Sequence, residues 1–228
     1  MKNSFLHHLL YIFTACVLIS TTDSNINFTD IPLTSGGLNA NTDVLNSMAL
    51  PNLASFTAQT LNGNFNQVTG IYSTGHFALP VVQQPAENAA YIATSPDTAT
   101  QFSLANQYGS LGFLAHNNLA GSLFFNLTQG SIVTVIYGDG HYRYFIVDEI
   151  RHFQAVSPNN PYSNFIDLEQ GNSLSVSDLF YQTYGVAGQA VFQTCINKNG
   201  VDSWGRLFVI AHPYIMITQS RRLTLTPM

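Results

Sequence analysis

From residue 111 onward, apolar and aromatic positions fall in short runs of five to ten residues, broken by polar and glycine-containing segments. Residues 111–115 (LGFLA) lead directly into His116. Residues 131–137 (SIVTVIY) and 141–150 (HYRYFIVDEI) are rich in the β-branched and aromatic side chains that fit a pleated, half-buried surface. They flank Gly138-Asp139-Gly140, and an Asp-Gly step between two such runs predicts a tight hairpin. Residues 191–195 (VFQTC) and 206–212 (RLFVIAH) predict a second strand pair, and residues 214–218 (YIMIT) one further strand. The long stretch 153–189 holds a turn-rich Ser157-Pro158-Asn159-Asn160-Pro161 segment. It also predicts one helix over 178–184, with Ser175 or Ser177 as cap and Gly185 as stop. Many short strands, hairpins and a minor helix predict an all-β fold, a barrel or a sandwich.

The first part of the chain is patterned differently. Lys2 precedes an apolar run of eleven at residues 9–19 (LLYIFTACVLI), and the small residues Ser20 and Thr22 stand before Asp23. That run is short for a membrane span but has the length of a signal-peptide core, so residues 1–22 read as an export signal or, uncleaved, as an N-terminal membrane anchor. Residues 23–66 are rich in Asn, Thr, Ser and Leu without a clear period and read as a polar arm or linker. The domain is expected over residues 67–228, its first structured position near Val68. Expected localisation is extracytoplasmic, secreted or at the cell surface.

Composition narrows the function classes. Of 228 residues, 46% are hydrophobic, enough for a sizeable core, while only 8% are charged. The formal net charge of −5 leaves no broad basic surface, which excludes nucleic acid as an expected partner. The two cysteines are Cys16, inside the apolar N-terminal run, and Cys195. Removal of residues 1–22 would leave Cys195 as the sole thiol of the mature chain, with no intramolecular disulfide possible.

Three residue types then point to chemistry. A free thiol, with an ordinary pKa of about 8.5, is only a few per cent thiolate near neutral pH, so a catalytic Cys195 needs a partner for its proton. His116 ends one predicted strand beside an Asn117-Asn118 turn, where a sheet can position it and a loop can leave it open to substrate. Arg206 opens the strand that follows Cys195, and a hairpin would bring both residues to one rim. A guanidinium there suits the negative charge that develops on a carbonyl oxygen during acyl transfer. Arg151 reads as an ordinary strand-end arginine. His76, His141, His152 and His212 lack the paired spacing of a zinc site, and Asp139, Asp148, Glu149, Asp167 and Glu169 lack calcium-loop spacing, so no metal is expected.

Taken together, Leu114-Ala115-His116-Asn117, the strand-ending Thr194-Cys195 pair and Arg206 at the head of Arg206-Leu207-Phe208-Val209-Ile210-Ala211 resemble the sortase family, in the order His, Cys, Arg. The resemblance covers residues 68–218. It implies a closed, mostly antiparallel β-barrel with one or two short helices, acting outside the membrane as a cysteine transpeptidase. Such enzymes cleave a sorting-signal peptide, hold its acyl part as a thioester and pass it to an amine. By position, Cys195 would be the nucleophile, His116 the acid/base and Arg206 the stabiliser of substrate and oxyanion. Thr194 and Trp204 would shape the substrate pocket, and no cofactor is expected. The implied partners are a peptide or protein with a sorting-type motif and an amine acceptor. The short connection from Cys195 to Arg206, carrying Trp204, departs from the family pattern and implies a peptide motif other than Leu-Pro-x-Thr-Gly. Two further readings stay open: a cysteine hydrolase on the same scaffold, and an inert exported β-barrel binding module. An L,D-transpeptidase is disfavoured because a Ser-His-Gly-Cys signature is missing around Cys195.

Overall fold

The computed structural model describes residues 50–160 and 162–215. The export signal with Cys16, residues 23–49 of the arm and residues 216–218 of the last predicted strand lie outside the described residues. In chain order the strands are β1 (Val68–Ser73), β2 (Phe77–Gln83), β3 (Ala99–Phe102), β4 (Leu111–Leu114), β5 (Ile132–Tyr137), β6 (Tyr142–Ala155), β7 (Phe165–Asp167), β8 (Ser173–Leu174), β9 (Ala190–Lys198) and β10 (Val201–Tyr214). Among the described residues, three short helices, α1 (Leu53–Thr60), α2 (Ser103–Gln107) and α3 (Val176–Tyr184), and a 3-10 segment at Ala120–Asn126 accompany the strands.

Eight strands in the order β10-β9-β4-β3-β2-β1-β5-β6 close into a barrel through pairing of β10 with β6. β7 and β8 extend the sheet beyond β6. Most ladders are antiparallel, but β2–β3 and β4–β9 are parallel, so the barrel is mixed. The expected closed barrel is therefore present. Its interior is filled by Phe77, Phe113, Phe124, Phe145 and Phe192 among smaller aliphatic side chains. A second core lies on the outer wall, where Phe180 and Tyr184 of α3 and Leu104 and Ala105 of α2 pack with Phe102, Leu114, Phe153, Phe208 and Ile210.

The hairpin predicted at Gly138-Asp139-Gly140 joins β5 to β6, and Gly140 takes the positive φ of 93° that this tight reversal needs. α3 begins where the capping signal placed it. Ser175 accepts from the Asp178 N–H at 3.2 Å, and the Asp178 carboxylate accepts from the Ser175 N–H in return. The segment read as a connection between Cys195 and Arg206 is mostly strand instead. β9 and β10 both continue past these residues and meet at Asn199-Gly200, with φ of 54° and 77°, a two-residue turn. α1 falls within the stretch read as an arm. Its Phe56 is buried on the barrel wall, against Gly70, Tyr72 and Ile136. No helix among the described residues is long and apolar enough to cross a membrane.

Candidate active site

β4, β9 and β10 lie side by side, and their registers define one transverse row. Arg206 is the direct cross-strand partner of Cys195, and Phe153 of β6 is the partner of Arg206 on its other side. β4 runs parallel to β9 with Leu114 opposite Gln193, and the Ala115 N–H extends that register by donating to the Gln193 carbonyl at 3.3 Å. Two residues past Leu114, His116 comes level with Cys195. Neighbouring strands are spaced by about 4.8 Å, so His116, Cys195 and Arg206 follow one another at the closest spacing a sheet allows.

Alternation puts all three on one face. Leu207, Val209 and Ala211 fill the barrel interior while Phe208 and Ile210 face the outer core, so Arg206 belongs to the outer set. Phe192 points inward and Val191 outward, which turns Cys195 outward. Phe113 and Ala115 point inward and Leu114 outward, which does the same for His116.

Local contacts hold each member. Thr194 is buried on the face opposite to Cys195, and its hydroxyl donates to the Ala115 carbonyl at 2.9 Å, tying β9 to the residue just before His116. Beyond His116 the chain reverses. The Leu119 and Gly121 N–H groups both donate to the His116 carbonyl, at 3.0 and 2.9 Å. A Cβ at Gly121 would overlap Thr194 Oγ1 and the carbonyls of Ala115 and His116, so only glycine fits there. Arg206 is anchored through Nη1, which donates to the carbonyls of Ser203 at 3.0 Å and Gly205 at 2.8 Å. These carbonyls are offered by a bulge, since four steps along β10, from Val201 to Gly205, match two along β9. The Phe165 ring covers the guanidinium at 5.9 Å from its centroid.

The row is closed over. Cys195 and Arg206 are each 1% exposed and His116 is 7% exposed, so His116 is not open to solvent as its strand-end position suggested. The β2–β3 connection folds Ile92 over it, and the His116 ring bonds to the Ile92 main chain. Burial pushes the His116 pKa down, only partly opposed by that hydrogen bond, which favours the neutral imidazole at neutral pH. Burial also lowers the Arg206 pKa, to about 10, which leaves the guanidinium cationic at neutral pH. Cys195 is disulfide-bonded in this structure. It is the sole cysteine among the described residues.

Trp204 lies within β10, half-buried, with Lys198 Nζ 4.3 Å from its ring centroid. Arg151 departs from its reading as an ordinary strand-end arginine. It is buried in the middle of β6, with Nη2 2.7 Å from Asp167 Oδ2 and 3.0 Å from Gln182 Oε1. His141, His152 and His212 each pair with one carboxylate, from Asp139, Glu169 and Asp148 respectively. Among the described residues no group of three or more His, Cys, Asp or Glu side chains is placed to hold a metal ion. Gly121, Ile92 and Phe165 shape the row but carry no local sequence signal for that role beyond the identity of the glycine.

No family model matches the chain, and no curated protein matches it. Among solved structures it is similar to sortase A from Listeria monocytogenes, at 11% identity and a TM-score of 0.42 over 65% of this chain and 88% of that one. It is similar to sortase C-1 from Actinomyces oris, at 14% identity and a TM-score of 0.45 over 73% and 82% of the two chains. A third is sortase C1 from Streptococcus suis, at 10% identity and a TM-score of 0.46 over 93% and 97%. The structure itself is a closed, mixed eight-strand barrel with short helices among the described residues.

Proposed function

We propose that this chain is an exported, sortase-like cysteine transpeptidase that works in its reduced form. The observation that carries the reading is the row of His116, Cys195 and Arg206 on one face of three adjoining strands. In the proposed cycle the Cys195 sulfur attacks the scissile carbonyl carbon of a peptide while neutral His116 takes the thiol proton. The carbonyl π electrons move to oxygen, and Arg206, held by the Ser203 and Gly205 carbonyls, offsets that charge from a fixed position. Collapse of the tetrahedral intermediate breaks the C–N bond, and His116 returns the proton to the leaving amine. A second amine then attacks the thioester, loses a proton to His116 and leaves with the acyl group, restoring the thiol. Water in place of that amine would give hydrolysis. Thr194 acts here by fixing the chain before His116, since its hydroxyl is committed to Ala115.

The test is mass spectrometry of products after incubating the reduced chain with sorting-type peptides, with and without an added amine. The reading predicts an acyl adduct on Cys195 and an amide product that requires the amine. Cleavage that never yields amide would favour the hydrolase. Failure to form any adduct, across peptides, would favour the inert binding module.

A further inference from the structure

We propose that Asp167 is a positioning residue for the cysteine row: its buried ion pair with Arg151 sets the register of β7, and with it the Phe165 ring that covers Arg206. Its catalytic consequence rests on the transpeptidase reading above. The registers place the parts. Phe153 of β6 is the cross-strand partner of both Arg206 and Asp167 and lies between them. Arg206 reaches along β10 toward the Gly205 and Ser203 carbonyls, and Gly205 stands opposite Gln154. That carries the guanidinium past the level of Phe153 toward Ala155, whose partner on β7 is Phe165. The Phe165 ring centroid lies 5.9 Å from the guanidinium. Phe165 and Asp167 are two residues apart on one strand, so they share a face, and what fixes one fixes the other.

The main chain of β7 is held by short ladders. It pairs with β6 over three residues and with β8 over two, at the end of the sheet. Asp167 supplies the side-chain anchor. It is wholly buried, and its carboxylate accepts from Arg151 Nη2 at 2.7 Å and from the Glu169 and Gln170 N–H groups at 2.9 and 3.0 Å. The same Nη2 donates to Gln182 Oε1 of α3 at 3.0 Å, so one guanidinium joins β6, β7 and α3. Charge is a costly way to hold a strand, since apolar side chains of like volume often match or exceed a buried ion pair in stability. What the pair adds is a single geometry. A one-residue slip of β7 would turn Phe165 to the other face and uncover Arg206, and the same slip would part Asp167 from Arg151. Water at the uncovered guanidinium would screen its charge and weaken its hold on an oxyanion.

The test is hydrogen exchange of the Arg206 guanidinium, read by NMR in the isotope-labelled, reduced full chain, the resonance being assigned by its loss in Arg206→Lys. Asp167→Asn keeps an acceptor for the two N–H groups and removes the charge that faces Arg151. It is expected to speed exchange at Arg206 by about tenfold or more. Phe165→Ala should do the same, and adding Asp167→Asn to it should change little, because both act through one ring. Arg151→Met combined with Asp167→Asn removes both charges, guards against a single variant that fails to fold, and should regain stability without regaining slow exchange. Turnover of a transferable peptide by Asp167→Asn should fall about tenfold through kcat, with KM little changed. Unchanged exchange in a folded Asp167→Asn chain, additive effects of Asp167→Asn and Phe165→Ala, slow exchange restored in the chain lacking both charges, or faster exchange with the parent's kcat would each overturn the proposal. A parent chain that turns over no peptide would sink the transpeptidase reading instead, and the exchange rates would still decide whether Asp167 positions Arg206.

Discussion

At the residue scale, the account assigns Arg206 a role that charge alone cannot fill. Its Nη1 is fixed by two carbonyls, and an ammonium would not present a planar set of donors from that position. Arg206→Lys should therefore lower turnover on a transferable peptide by about 10²–10³, the usual cost of losing an oxyanion donor. Arg206→Ala should cost at least as much, with Cys195 of the reduced chain still alkylated through local opening. Steady-state kinetics beside a melting curve separates this from unfolding, and near-native turnover in a folded Arg206→Ala chain would remove the assignment. The positioning of His116 is tested at Thr194 and Gly121. Thr194→Val removes the hydroxyl bonded to Ala115 and should cost about 1–3 kcal/mol through the unpaired carbonyl, with Thr194→Ser recovering much of it. Gly121→Ala forces a Cβ into that same contact and should be the more damaging change by chemical denaturation.

Among the elements, β6 carries the clearest correction and the clearest pH dependence. Arg151 sits one turn of the pleat from Phe153 and pairs with Asp167, which also accepts from the Glu169 and Gln170 N–H groups at 2.9 and 3.0 Å. Desolvation alone would raise the Asp167 pKa, but the hydrogen bonds from Arg151 and from those two N–H groups outweigh it and hold the carboxyl below its usual value. A depressed carboxylate contributes stability above its unfolded pKa of about 3.9 and loses it as pH falls through the folded value. His116 acts in a higher window. Its folded pKa is below the unfolded value of about 6.5, so the unfolded chain binds more protons there and stability declines as pH drops through that region. Urea midpoints against pH should thus fall in two stages. Arg151→Ala, which strands a buried carboxylate, should destabilise by about 3–5 kcal/mol at neutral pH. A variant as stable as the parent would show that the pair contributes nothing.

Legibility in the sequence follows the same elements. The β5–β6 hairpin and α3 could be read because their turn and cap residues are local signals, Gly138-Asp139-Gly140 and Ser175 with Asp178. β4 and the core segments of β9 and β10 stood out as apolar runs. Their ends were lost because Asn197, Lys198, Asp202 and Ser203 interrupt the apolar pattern, even though Asn199-Gly200 is itself a strong turn signal. β1 to β3 escaped notice since Gly70, Pro80 and scattered Thr and Gln break their patterns. The parallel pairing of β4 with β9, which brings His116 beside Cys195, joins segments about eighty residues apart and has no local signature.

For the whole molecule, the barrel closes a ring of eight strands and thereby fixes the level of the row, while the β2–β3 connection and β7 lie over it. On the proposed reading, a peptide would reach Cys195 only when that cover moves, and the sulfur would attack only when reduced. The central claim, an activated thiol in a folded barrel, is tested most directly by the alkylation rate of Cys195 in the reduced full chain, read by intact mass across a denaturant series below the unfolding transition. The account predicts labelling with iodoacetamide by local opening, at a rate nearly independent of denaturant there and slowed in His116→Ala. Labelling that occurs only as the chain unfolds, with the denaturant dependence of global unfolding and no response to His116→Ala, would make Cys195 a buried core residue and contradict the account.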